Sequence, residues 1–228
     1  MFIFLDTETT GTENKDRLCQ LAYKQNTGEI VNELFKPPLP IEIEAMSIHH
    51  ITNEMVADRP AFKDSHDYQK LFDLLNDDEN ILVAHNANFD VDMLIKEGIH
   101  PKKFICTLKL ARHLDPNGVI PKYNLQYLRY FLGIKIQATA HDALGDILVL
   151  EKLFERLFAR MNKDFSSDQV EDKMIEVSNN PVLLSRMLFG KHKGQLFKDI
   201  PVDYLQWLSG KNDLDEDMRY TIDHYLNP

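Results

Sequence analysis

Three stretches of this chain each bring an apolar or small-residue run to an end on acidic residues, and that repetition constrains the fold more than any other feature. Phe2-Ile3-Phe4-Leu5 runs into Asp6-Thr7-Glu8, Ala84-His85-Asn86-Ala87-Asn88-Phe89 into Asp90, and Ala140-His141-Asp142-Ala143-Leu144-Gly145 into Asp146. Carboxylates that converge repel one another, so a fold gathers them only where a cation neutralises them. The expected occupant is a pair of hard divalent ions, and the expected chemistry is phosphoryl transfer.

Along a strand, residues i and i+2 share a face, so Asp6 and Glu8 pair on one side while Thr7 turns away. Thr9-Thr10-Gly11 follows, a sequence able to turn sharply and offer backbone N–H groups to a phosphate. His141 and Asp146 are separated by about 500° on a continuous helix and share no face. Their spacing suits a histidine on a loop just before the helix and a carboxylate in its first turns. Taken in isolation, the same segment reads as a solvated helix start capped by Asp142.

The rest of the chain supplies a framework. Residues 2–5, 17–24 and 29–35 read as strands separated by turn signals, and Pro37-Pro38-Leu39-Pro40 ends that meander. Apolar spacing near 3.6 predicts a helix over 62–75, followed by a buried strand at 80–84 and a helix over 86–97. A strand at 104–106 leads to helices at 108–113, 125–131 and 142–160. Strands first, then strand–helix alternation, indicate an α/β fold with a mixed sheet flanked by helices. Residues 1–162 are expected to form one domain, polar residues 163–180 a linker with Ser166-Ser167-Asp168 capping a short helix, and 181–228 a small C-terminal module with helices at 202–208 and 215–225.

With 228 residues and 43% hydrophobic content, the chain has the composition of a globular protein, and no apolar run reaches the ~18 residues of a membrane span. No basic leader precedes the strand pattern at Phe2, and the two cysteines, Cys19 and Cys106, lie in apolar segments. A reducing, cytoplasmic setting is expected. The net charge of −10 argues against a passive nucleic-acid binder but leaves room for an enzyme whose carboxylates hold cations.

The acidic segments resemble the three motifs of the DEDDh exonuclease family, whose members share a ribonuclease H-like fold. Ala45-Met46-Ser47-Ile48-His49-His50-Ile51-Thr52, Ile105-Cys106-Thr107-Leu108-Lys109-Leu110-Ala111-Arg112 and Phe189-Gly190-Lys191-His192-Lys193-Gly194 extend the likeness to the exodeoxyribonuclease X subfamily. The resemblance implies that Asp6, Glu8, Asp90 and Asp146 bind two Mg²⁺ or Mn²⁺ ions and that His141 is the general base. It implies 3′→5′ hydrolysis of DNA ends, releasing nucleoside 5′-monophosphates in a repair setting. Two alternatives stay open: trimming of RNA 3′ ends, and a non-catalytic or proofreading-like subunit that needs a polymerase partner.

The backbone of Thr7, Thr9 and Thr10 is expected to cradle the terminal nucleotide, with His49 approaching the substrate. His85 is either substrate-facing or structural, beside Asn86 as a helix cap. Phe89, Tyr127 and Tyr130 stand at core-like spacing, and Trp207 falls in an apolar helical stripe that reads as core. Lys191 and Lys193 are candidates for phosphate contact in a glycine-bounded turn.

Overall fold

The structure is a computed structural model describing residues 1–26, 28–136, 143–166 and 169–227. Its centre is a five-stranded sheet ordered β3-β2-β1-β4-β5. Strands β1 (Phe2–Thr9), β2 (Leu18–Gln25) and β3 (Ile30–Leu34) form the antiparallel meander, while β4 (Ile81–Ala84) and β5 (Phe104–Cys106) run parallel to β1. Short helices α1 (Ile43–His49) and α2 (Asn53–Val56) cross from β3 to α3 (His66–Asn76), and α4 (Ala87–Lys96) leaves the end of β4. After β5 come α5 (Thr107–His113), α6 (Leu125–Phe131), α7 (Ala143–Met161) and α8 (Val170–Asn179). The C-terminal helices are α9 (Val202–Ser209) and α10 (Glu216–Leu226).

Alternation along β1 decides which helices cover which face. Ile3 and Leu5 pack with Leu21, Tyr23 and Leu82 against Leu71, Leu75 and Leu94 of α3 and α4. Phe4 packs on the opposite face with Val83, Ile105 and the Ile147, Leu150, Leu153, Leu157 stripe of α7. Phe2 joins there through ring contacts to Phe154 at 4.7 Å and Phe158 at 6.1 Å. Lys24 of β2 pairs with Glu151 of α7 at 2.6 Å, fixing the long helix across the meander. Each face therefore buries its own apolar set, the arrangement expected of a sheet between helices.

The stretch expected to be a linker is largely part of this core. Val170, Met174 and Val177 of α8, spaced i, i+4, i+7, join the α7 cluster. Ser178 accepts the Cys106 N–H at 2.8 Å and donates to the Met174 carbonyl at 2.7 Å, so α8 satisfies the edge of β5. Acidic and lysine residues between the apolar positions disguise that stripe in the sequence. Ser167 and Asp168 of the expected cap lie outside the described residues. The segment after α8 has a buried cluster of its own, with Leu184, Met187, Phe197, Leu205, Leu208, Met218 and Ile222.

Two other expectations are corrected here. Asn86 does not cap α4 with its side chain but takes a left-handed conformation at φ 65°, a geometry asparagine tolerates better than most residues. Tyr130 is 74% exposed, with the Arg129 guanidinium 5.3 Å from its ring centre, rather than packed in the core.

Candidate active site

Strand β1 extends beyond β4: their pairing covers only Phe2–Phe4 against Ile81–Val83, and β4 stops at Ala84. The last residues of β1 thus form a rim. Asp6 and Glu8 share the Phe4 face, which is the α7 face, and Asp146 projects from the same α7 stripe as Leu150, Leu153 and Leu157. One carboxylate oxygen from each of Asp6, Glu8 and Asp146 lies within 4.8 Å of the others. Gln126 of α6 donates its amide N–H to Asp146, and its own carbonyl accepts from Arg129 at 3.2 Å. Asn124 sets the start of α6 by accepting the Tyr127 N–H at 2.8 Å, which places Gln126 in the first turn.

Thr7 belongs to the other face, and there it meets Asp90 of α4. With no β4 residue alongside, Thr7 gives both its backbone N–H (3.1 Å) and its hydroxyl (2.8 Å) to Asp90 Oδ1. Asp90 is only 3% exposed. Burial pushes its carboxyl up to about 7, against the opposing pull of the two Thr7 hydrogen bonds. The four predicted acids therefore divide into a cluster of three and a fourth reached across the end of β1. An all-oxygen donor set of this kind fits a hard divalent cation rather than a soft one.

The threonines and histidines differ from expectation. Thr10 is fully buried. Its N–H donates to the Arg17 carbonyl at 2.9 Å, and its hydroxyl donates to Asp16 at 2.7 Å. The Thr9 hydroxyl donates to the Gly11 carbonyl at 2.7 Å. These groups, with those of Thr7, are engaged in hydrogen bonds that shape the rim. A Cβ at Gly11 would stand 2.6 Å from Asp16 and 2.8 Å from Glu42 carboxylate oxygens, so a larger residue there would displace those side chains.

Both ring nitrogens of His49 are engaged: Nδ1 accepts the Ile51 N–H at 3.0 Å, so Nε2 carries the proton and donates to the Thr9 carbonyl at 3.1 Å. Burial lowers its pKa, which keeps that neutral form. His85 is tied in the same way, with Nε2 2.7 Å from the Tyr123 carbonyl and Nδ1 2.9 Å from the Thr107 hydroxyl. Burial, opposed by the Tyr123 carbonyl and aided by the Arg112 charge, lowers its pKa to about 4. Both histidines brace backbone near the rim instead of presenting a nitrogen to substrate. His141 lies outside the described residues.

The sequence reading missed Gln126 and the Thr7–Asp90 tie. A signal for the first existed: Gln126 is a polar residue two places after the capping position, between the apolar Leu125 and Leu128. The second depends on where β4 stops, which no local pattern records.

With that geometry in place, likeness to known proteins carries weight. Residues 3–154 match the exonuclease (RNase_T) family. The chain belongs to this family. It is a 3′–5′ exonuclease, a phosphodiester hydrolase whose family generally works with divalent metal ions. Residues 180–213 separately match a family described as a putative quorum-sensing-regulated virulence factor. Exodeoxyribonuclease 10 of Escherichia coli K12 is 33% identical over 99% of both chains. A DNA polymerase III subunit epsilon of Buchnera aphidicola is 31% identical over 92% of this chain and 95% of its own. Among solved structures, exonuclease X in complex with 5′ overhanging duplex DNA superposes with a TM-score of 0.63 at 28% identity, covering 78% of this chain and all of that one. The mixed five-stranded sheet between helices is the ribonuclease H-like fold of these exonucleases. No helix among the described residues is long and apolar enough to cross a membrane.

Proposed function

We propose that this exonuclease removes nucleotides one at a time from DNA 3′ ends, releasing nucleoside 5′-monophosphates, in a DNA repair role. The observation that carries this reading is the meeting of Asp6, Glu8 and Asp146 oxygens within 4.8 Å at the end of β1. DNA as the polymer follows from the exodeoxyribonuclease relative and the DNA-bound structural neighbour. Asp6, Glu8 and Asp146, with Asp90 at the margin, would hold two divalent cations, Mg²⁺ or Mn²⁺. When bound, such ions activate water and stabilise charge on the phosphate oxygens.

The chain's own residues do the positioning. Strand β1 holds Asp6 and Glu8 on one side without side-chain search, and the Gln126 amide keeps Asp146 turned toward them. Thr7 fixes Asp90 at the other side of the strand end. His49 pins the Thr9 carbonyl, so the backbone after Glu8 cannot swing away. His141 acts as general base, taking the proton of the attacking water on a ring nitrogen as the water oxygen bonds to phosphorus and the 3′ oxygen leaves. Two buried free thiols, Cys19 and Cys106, suit a reducing cytoplasm, and burial pushes the Cys19 thiol up to about 12, away from reactivity.

The test is a digest by the purified chain of matched DNA and RNA oligomers, each blocked at one end or the other, with Mg²⁺ or with EDTA. Mononucleotide release from unblocked DNA 3′ ends, abolished by EDTA, is the expected result. Faster cleavage of RNA, release from 5′ ends, or activity that survives EDTA would each overturn a stated part of the reading. Activity that appears only when a polymerase is added would mean a proofreading subunit instead.

A further inference from the structure

The C-terminal segment presents one aromatic side chain, Trp207, that its own core does not use, beside Tyr204, which packs only partly against that core. Leu205 and Leu208 of α9 point inward with Phe197 and Met218, whereas Trp207 is 56% exposed. That overturns the expectation that Trp207 is core. Tyr204 and Trp207, at i and i+3, share one side of α9, and Lys211 follows just past the helix end. Their contacts form a continuous strip: the His192 ring is 4.4 Å from Tyr204, Tyr204 is 5.4 Å from Trp207, and the Lys211 ammonium is 4.5 Å from the Trp207 ring centre.

The strip is held in shape by the glycine-bounded turn. Gly190 sits at φ +70°, and a Cβ there would come within 2.9 Å of the Tyr204 hydroxyl, so the turn lies directly against the tyrosine. Within the turn, His192 Nδ1 stands 2.6 Å from the Gln195 side-chain oxygen, which fixes the ring. Lys191 and Lys193 flank His192 in sequence and, like Lys211, form none of the carboxylate pairs found at nine other lysine and arginine residues of the described chain. Asp203, next to Tyr204 in sequence, gives one oxygen to the Tyr204 N–H at 2.9 Å.

We propose that the His192–Tyr204–Trp207 strip, with Lys191, Lys193 and Lys211, is a second contact site for single-stranded nucleic acid, separate from the carboxylate rim. The exposed Trp207 ring, extended by the partly exposed Tyr204 and His192 rings, can stack on unpaired bases whatever their sequence, and ammonium groups without a carboxylate partner answer the phosphates between them. On a chain of net charge −10, a local run of free cations beside aromatic rings is a selective feature rather than a general stickiness. A strand gripped there presents its 3′ end to the rim at raised effective concentration. The choice of polymer rests on the exonuclease reading; the existence of the site does not.

The experiment uses the full chain in EDTA and follows the fluorescence of Trp207, its one tryptophan, during titration with oligodeoxythymidylate and, in a second arm, oligouridylate. Quenching that saturates and weakens with salt is expected, and a difference between the arms identifies the preferred polymer. In parallel, anisotropy of a labelled oligomer should show binding about 10- to 100-fold weaker for Trp207→Ala, the worth of one stacked base. The Lys191→Ala/Lys193→Ala pair should flatten the logarithmic salt slope by about 1.4. Tyr220→Ala, which removes a comparably exposed ring outside the strip, should bind as the parent does. An unquenched tryptophan at saturating oligomer, or Trp207→Ala binding like the parent, overturns the proposal. Nucleotide release is measured separately: an active chain without quenching sinks the strip alone, and quenching in an inactive chain sinks the exonuclease reading alone.

Discussion

The rim of the sheet and the junction with the C-terminal segment both concentrate carboxylates, yet they treat them in opposite ways. At the rim, Asp6, Glu8 and Asp146 are turned toward one another. At the junction, Glu216 meets Lys109 at 2.7 Å, while Asp215 and Asp217 take the two ends of the Arg112 guanidinium. Asp217 is 1% exposed and also accepts the Val182 N–H at 2.8 Å, so its charge is buried with its partners supplied. One group of acids converges on itself, as the proposed cation site requires; the other meets cations of the chain. Like residue types therefore mean different things, and only the partner tells them apart.

Substitution should separate the two regions cleanly. Asp6→Ala removes one of the rim carboxylates, and turnover should fall by at least ~10⁴-fold, because charge stabilisation of the reacting phosphate goes with it. Thermal melting of that variant should be unchanged or slightly higher, since repulsion is relieved. Near-normal nucleotide release would remove Asp6 from the site. His141→Ala should lower turnover by about 10²–10⁴-fold while calorimetry still detects Mn²⁺ binding. A variant that keeps its rate but loses the metal would assign His141 a ligand role instead.

At the junction the expectation reverses. Arg112→Ala leaves the buried Asp217 carboxylate without its cation, and denaturant unfolding should show a loss of about 3–5 kcal/mol. An unchanged unfolding midpoint would mean that the pair contributes nothing and that the contrast between the regions is false.

His85 sits in the cleft between the two, lined also by Arg112, Tyr123 and Asp215, and should give the smallest effect. Its pKa of about 4 in the folded chain lies below the ordinary 6.5, so the unfolded chain takes up the proton first as pH falls. Stability from this group is complete above pH ~6.5 and is lost progressively down to pH ~4, by about 1–3 kcal/mol. Relative to His85→Gln, the parent should lose stability across that window; parallel pH profiles would refute the neutral, buried assignment.

Much of the catalytic half was legible in the sequence because periodic patterns carry it. Alternation in β1 put Asp6 and Glu8 on one face, and the helical pattern put Asp146 in the first turns of α7; that α7 covers the Asp6 and Glu8 face came from the packing. The α8 stripe is equally periodic but diluted by charged neighbours, so its place against β5 is hidden in the sequence behind the composition of a linker. Trp207 and Tyr130 misled in the other direction: an apolar ring at helical spacing looks buried until the core is found to be filled without it.

Order along the chain thus determined the strands, the long helices and the acidic residues that end them, since side-chain direction follows from a backbone period of two or 3.6 residues. Tertiary structure alone decided that Asp90 answers Thr7, that Gln126 holds Asp146, and that His49 and His85 brace backbone. Those facts depend on where one strand outruns its neighbour and on which buried donors are left needing an acceptor. A hydrogen-bonding requirement created by packing has no counterpart in a linear pattern until the pieces meet.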